Sequence, residues 1–121
     1  MNLDWALDQV GHADVGATVS FLGSVRQTNF GKEVLGLEYQ AYPAMVEAEF
    51  RAIVKDSATG LRVALEHSVG SVKVGEATIA LAIGAAHRKE AFAAGEAMMN
   101  QIKSRLPIWK KELYPDGSSW L

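Results

Sequence analysis

Four basic segments stand where the chain passes from one element to the next, and each carries side chains suited to holding an anion. Ala85-Ala86-His87-Arg88-Lys89 lies between an apolar run and a helix-like stretch. The free N–H groups of a helix start attract anions, and the Arg88 guanidinium offers a planar fork of donors that fits phosphate. Lys103 falls at the edge of a helical stripe of Phe92, Met99 and Leu106. At about 100° per residue it sits about 20° from Phe92 and about 40° from Met99. A lysine so placed either snorkels to water or is partly desolvated, and a desolvated amine serves as base or nucleophile. Ile108-Trp109-Lys110-Lys111-Glu112 follows Pro107, which fixes the exit from that helix and lets Lys110 fold back beside Lys103. Ser24-Val25-Arg26 closes an alternating run and opens a Gly-containing loop. Each segment has a plainer reading as a solvated turn, a rim charge or surface lysines. Converged, they make an anion pocket. His12 has no partner at a useful spacing, His67 reads as a satisfied core histidine, and no His/Asp/Glu pattern has metal-site spacing.

Holding such residues together takes a frame, and the hydrophobic periodicities outline it. Residues 17–25 alternate, with Ala17, Val19, Phe21 and Val25 on one side, as a half-buried strand does. Residues 26–33 read as a polar loop broken by Asn29 and Gly31. A second strand spans 34–41, with Leu35, Leu37, Tyr39 and Ala41 on one face. Pro43 suits a first helical position, and Val46, Phe50, Ile53 and Val54 keep helical spacing up to a Gly60 cap. Residues 61–69 return to period two, with Leu61, Val63, Leu65, His67 and Val69 inward. Gly70 and Gly75 punctuate a short hairpin-like excursion, and 77–83 is apolar or small on both faces, as in an interior strand. A second helix runs from His87 to about Leu106, burying Phe92, Gly95, Met99, Ile102 and Leu106, and Pro107 stops it. The tail reads as irregular, aromatic and basic in its first half. This order predicts an α+β fold, two main helices on a mostly antiparallel sheet.

Composition sets the class. The chain has 121 residues, 49% apolar and 21% charged, the profile of one globular domain spanning 1–121. A formal net charge of −2 gives no global pull toward nucleic acid or anionic membrane, so anion binding must be local. There is no cysteine, which removes disulfides, thiolate metal sites, a cysteine nucleophile and any persulfide carried on the chain. No apolar run approaches the roughly 18 residues of a membrane span, and MNLDWALDQV is acidic and mixed rather than signal-like. The expectation is a cytoplasmic protein of a reducing compartment.

From about Gly16 to Trp120 the chain resembles the large, catalytic subunit family of molybdopterin synthase. The resemblance rests on Gly23-Ser24-Val25-Arg26, on Tyr39-Gln40-Ala41-Tyr42-Pro43-Ala44-Met45, and on His67-Ser68-Val69-Gly70 with Gly75-Glu76. It rests most on Ala86-His87-Arg88-Lys89-Glu90-Ala91-Phe92 and on Lys103-Ser104-Arg105-Leu106-Pro107-Ile108-Trp109-Lys110-Lys111-Glu112. Their order and spacing together are specific.

That family implies a sulfurtransferase of molybdenum cofactor biosynthesis with an α/β-hammerhead fold. It installs two dithiolene sulfurs on a cyclic pyranopterin monophosphate. The sulfur arrives as the C-terminal Gly-Gly thiocarboxylate of a small ubiquitin-like subunit, in a heterotetramer built on a central homodimer of large subunits. The neighbouring large subunit completes each pocket. Position by position, Lys103 and Lys110 resemble the two catalytic lysines, Arg26, His87 and Arg88 the phosphate and pterin ligands, and Ser24 and Val25 backbone contacts. Lys111 and Glu112 extend the tail side of the pocket. No metal or organic cofactor is called for. Ile108 stands where an aromatic is usual before Trp109, Lys111 where arginine is common, and Ser68 replaces an arginine after His67. Two other classes stay open on the residues alone. One is a non-catalytic module binding a phosphorylated metabolite, and the other is a structural partner docking through Trp109, Tyr114 and Trp120.

Overall fold

The computed structural model describes residues 2–120, with side chains to Ser118; the Trp120 side chain lies outside the described set. Three helices and nine strands follow in the order α1 (Leu3–Val10), β1 (Ala17–Ser24), β2 (Thr28–Asn29), β3 (Lys32–Glu33), β4 (Gly36–Ala41), α2 (Pro43–Ser57), β5 (Arg62–His67), β6 (Gly70–Lys73), β7 (Ala77–Ala85), α3 (Arg88–Arg105), β8 (Ile108–Tyr114) and β9 (Gly117–Trp120). The α+β expectation holds, with every strand pair antiparallel among the described residues.

The first sheet runs β1-β7-β5, with β7 in the centre. β7 is apolar on both faces because both are covered. Ile79, Leu81 and Ile83 pack with Ile53 of α2 and with Ala94, Met98 and Ile102 of α3. Ala82, with Ala64 of β5, meets Ala6 and Val10 of α1 on the other side. Small side chains there let α1 lie close; a Cβ on Gly84 would stand 2.7 Å from the Val10 carbonyl oxygen. The second sheet runs β6-β4-β8-β9, and its inner face joins Leu37, Tyr39 and Val72 to Val25 and Val34 of the loop ahead of it.

Several expectations are corrected. A third helix, Leu3–Val10, joins the two expected ones, capped by the Asn2 side chain accepting from the Trp5 N–H at 3.2 Å. The loop at 26–33 contains a small hairpin, with Thr28 opposite Glu33 and Asn29 opposite Lys32. The tail is no irregular segment: β8 pairs along β4 from Gly36↔Leu113 to Ala41↔Ile108, and β9 folds back on it. The buried face of α3 is Ala91, Ala94, Met98 and Ile102, while Phe92 is 65% exposed. Close approach to the sheet favours small residues at the centre of contact; a Cβ on Gly95 would lie 3.4 Å from Val19 Cγ1. That rotation turns Phe92 to the flank. Leu35 and Val69, expected inward, are exposed because β4 begins only at Gly36 and β5 ends at His67.

Candidate functional site

A cavity of about 630 Å³ opens between the two sheets and the last turns of α3. β1 ends there, so Gly23, Ser24, Val25 and Arg26 form one wall. α3 delivers Met99, Ile102, Lys103 and Leu106, where its face turns from core to opening. Pro107 ends the helix, and β8 then returns along the opposite wall. Period two along β8 sends Ile108, Lys110 and Glu112 into the cavity. Tyr39 and His67 form an edge-to-face pair at 4.8 Å between centroids, and both line the cavity.

The walls thus carry Arg26, Lys103 and Lys110 against the single carboxylate of Glu112, with Val25, Val34, Leu37, Ile79 and Met99 as apolar floor. Glu112 is 3% exposed. Burial pushes its carboxyl up, but hydrogen bonds from Tyr114 and Asn29 and the charges of Lys110 and Arg26 outweigh that and leave it below its ordinary value. Asn29 Nδ2 donates to Glu112 Oε1 at 2.6 Å, and the Tyr114 hydroxyl donates to Oε2. Burial lowers the pKa of His67, partly offset by its contact with the Ser68 carbonyl. Because a carbonyl only accepts, Nδ1 of His67 donates to Ser68 O at 2.8 Å. Tyr39 is held above the ordinary tyrosine value, chiefly by burial.

The residues singled out in the sequence divide into groups. Ser24, Val25, Arg26, Lys103, Lys110 and Glu112 line one cavity. Lys103 is exposed in the single chain rather than desolvated, since Met98 and Ile102, not Phe92 and Met99, define the buried stripe. Lys111 does not line the cavity; strand alternation turns it to the other face of β8, across from Glu38 of β4. His87 and Arg88 are exposed at the opposite end of α3, about 22 Å from Lys103 at 1.5 Å per residue. His87 caps the helix through its backbone, with Nδ1 4.0 Å from Glu90. Asn29, Tyr39, His67 and Tyr114 are additions. Period two placed Tyr39 and His67 inward, but the Asn29–Glu112 contact depends on pairing across 83 residues, and Tyr114 reaches Glu112 from two residues along β8. Among the described residues no cluster of three or more His, Asp or Glu could hold a metal ion.

A half-apolar cavity lined by converging cations has the character of a site for a small molecule that carries an anionic group. Comparison with known proteins gives that class a family. The model of the MoaE protein family matches residues 1–105. The molybdopterin synthase catalytic subunit of Bacillus subtilis is 35% identical over 100% of this chain and 79% of its own length. Catalytic subunit 1 of Mycobacterium tuberculosis is 37% identical over 100% of this chain and 84% of its own. The crystal structure of molybdopterin synthase from Staphylococcus aureus superposes with a TM-score of 0.93 at 31% identity, covering 100% of this chain and 90% of that one. A complex of subunits 1 and 2 of the molybdopterin-converting factor from Helicobacter pylori matches with a TM-score of 0.75 at 25% identity, over 88% of this chain and 72% of that one. The chain belongs to the MoaE family, that of the molybdopterin synthase catalytic subunits.

Proposed function

We propose that this protein is the catalytic subunit of a molybdopterin synthase, converting a cyclic pyranopterin monophosphate to molybdopterin with sulfur from a thiocarboxylated ubiquitin-like partner. The observation that carries the reading is the meeting of Lys103, Lys110 and Arg26 around one cavity with an apolar floor. A thiocarboxylate sulfur is already a good nucleophile, so the protein's task is to position it and to stabilise developing anions. Attack of the thiocarboxylate sulfur on a substrate carbon forms a C–S bond as the C–O bond at that carbon breaks, its oxygen staying on the phosphate or leaving as water. The carrier is thereby joined to the pterin through an acyl–sulfur bond. Water at that acyl carbon then returns the carrier as a carboxylate and leaves the sulfur behind. Lys103 acts as proton donor or base and Lys110 as electrostatic clamp. Arg26 takes the phosphate, with Ser24 and Val25 lending backbone contacts. The chain supplies no sulfur of its own, in keeping with its lack of cysteine.

His87 and Arg88 enter from a second copy in this reading. β1 is an edge strand of its sheet, and Phe21, Leu22 and the flanking Phe92 are exposed. Two copies of β1 paired antiparallel about a two-fold axis would set Ala17 of one beside Ser24 of the other. Ala17 pairs with Ala85 in its own chain, so His87 and Arg88 would arrive beside the neighbour's Arg26. The small subunit then occupies the outer side of each site, and the assembly is a heterotetramer. Among the described residues no helix is long and apolar enough to cross a membrane, and we place the protein in the cytoplasm as one domain. The test is reconstitution with a thiocarboxylated small subunit and the cyclic substrate. Dithiolene product is expected; binding of substrate without product would leave a phosphometabolite-binding module instead.

A further inference from the structure

We propose that Asn29 is a positioning residue for Arg26, held in that role by Glu112 and Tyr114; the inference rests on the reading of the cavity just given. The Asn29 side chain donates from Nδ2 to Glu112 Oε1 at 2.6 Å and accepts at Oδ1 from Arg26 Nη2 at 3.3 Å. An amide has one donating and one accepting end. Turned over, it would face the carboxylate with its own carbonyl oxygen and Arg26 with its NH2, so the carboxylate decides which end Arg26 meets. Glu112 is itself fixed, because Tyr114 donates to its second oxygen and its backbone sits opposite Leu37 in the sheet.

Arg26 needs such a tether. It stands on an exposed loop leading into a hairpin of two residue pairs, too short to be stable alone. That hairpin is tied to β8 by the Asn29–Glu112 bond and by Lys32 Nζ, 5.4 Å from the Tyr114 ring centroid. Just after it, Leu35 N donates to Leu113 O at 2.8 Å. The relay also settles why an anion pocket contains a carboxylate. Both Glu112 oxygens are engaged by neutral donors, so Glu112 acts through Asn29 and Tyr114 and leaves the cations to meet the ligand.

The test is a steady-state comparison in the reconstituted complex of wild type, Asn29→Ala, Arg26→Ala and the double variant, each checked for fold by circular dichroism. Asn29→Ala is expected to raise KM for the cyclic monophosphate about tenfold with kcat within about twofold, as loss of a substrate-orienting bond does. The double variant should match Arg26→Ala alone, because a residue acting through Arg26 has nothing left to position. In Glu112→Gln the new amide oxygen can still accept from Asn29 and its NH2 can donate to the Tyr114 oxygen, so the contact that fixes Asn29 should survive. An Asn29→Ala effect that persists undiminished without Arg26, or that appears in kcat alone, overturns the proposal. A second readout is independent of turnover. In 15N NMR the Asn29 side-chain amide protons should exchange slowly in wild type and in Glu112→Gln, and fast in Tyr114→Phe/Glu112→Ala. Slow exchange in a wild type that makes no product would sink the assigned reaction and keep the relay. Fast exchange in an active wild type would sink the relay alone.

Discussion

Lys103 stands in the last turn of α3 beside Met99 and Ile102, bordering the core without filling it. Lys103→Ala is therefore expected to abolish dithiolene formation while leaving the circular dichroism spectrum unchanged. Lys103→Arg should rescue little, because a guanidinium stays protonated and cannot exchange a proton at neutral pH. Near-normal turnover in that variant would reduce the lysine to a fixed charge. Two other cavity residues contribute to acid stability. His67, by burial, and Glu112, by donors and cations that outweigh its burial, are both held below their ordinary values. The unfolded chain therefore takes up each proton first, and stability present at neutral pH is lost on acidification. The loss begins below about 6.5 for His67 and below about 4.3 for Glu112. Melting temperatures from pH 7 to 3 should fall across both windows. His67→Gln should flatten the upper one and Tyr114→Phe the lower; a wild-type profile flat from pH 7 to 5 would contradict the His67 assignment.

Among the elements, α3 does most to place the site, and its hold on the sheet is concentrated at Met98, which is fully buried among Ile53, Leu81 and Ile83. Met98→Ala is expected to cost about 2–5 kcal/mol in denaturant unfolding, with α3 loosened and the cavity lysines with it. At its C-terminal end α3 is pinned to α2 by Arg105, with Nε 2.7 Å from Glu49 Oε1 and Nη1 2.8 Å from Asp56 Oδ2. Much of this frame was legible in the sequence. The period-two runs at 17–25 and 77–83, Pro43 and Pro107 marked their elements because burial repeats with the backbone. Helix α1 was legible too, in the spacing of Leu3, Ala6, Leu7 and Val10 behind Asn2, but that stretch reads first as a charge pattern. β8 was hidden because Lys110, Lys111 and Glu112 break the apolar alternation; the cavity accommodates Lys110 and Glu112, while Lys111 lies on the other face across from Glu38. The Asn29–Glu112 bond lay beyond reach, since no local pattern reports a contact made by sheet register.

At the scale of the assembled molecule, a site shared between copies has a signature that no single chain can imitate. Arg88→Ala and Lys103→Ala should each be inactive as homodimers. Unfolded together and refolded, random pairing makes half the dimers mixed, each with one site free of both substitutions. About a quarter of wild-type activity should return, as two-fold symmetry requires. No recovery, with mixed dimers verified by mass spectrometry, would mean that Arg88 and Lys103 do not reach one site from different copies. Such sharing gives α3 a further property. Its 18 residues separate His87 and Arg88 at one end from Lys103 near the other, so the helix is a ruler whose length is read in two places. One inserted residue in its middle would shift one end by about 1.5 Å and turn it by about 100°. In the proposed dimer each copy serves both cavities, so that single error would misalign both reaction centres together. A loop of that dimer could absorb such a change in length, whereas this helix could not.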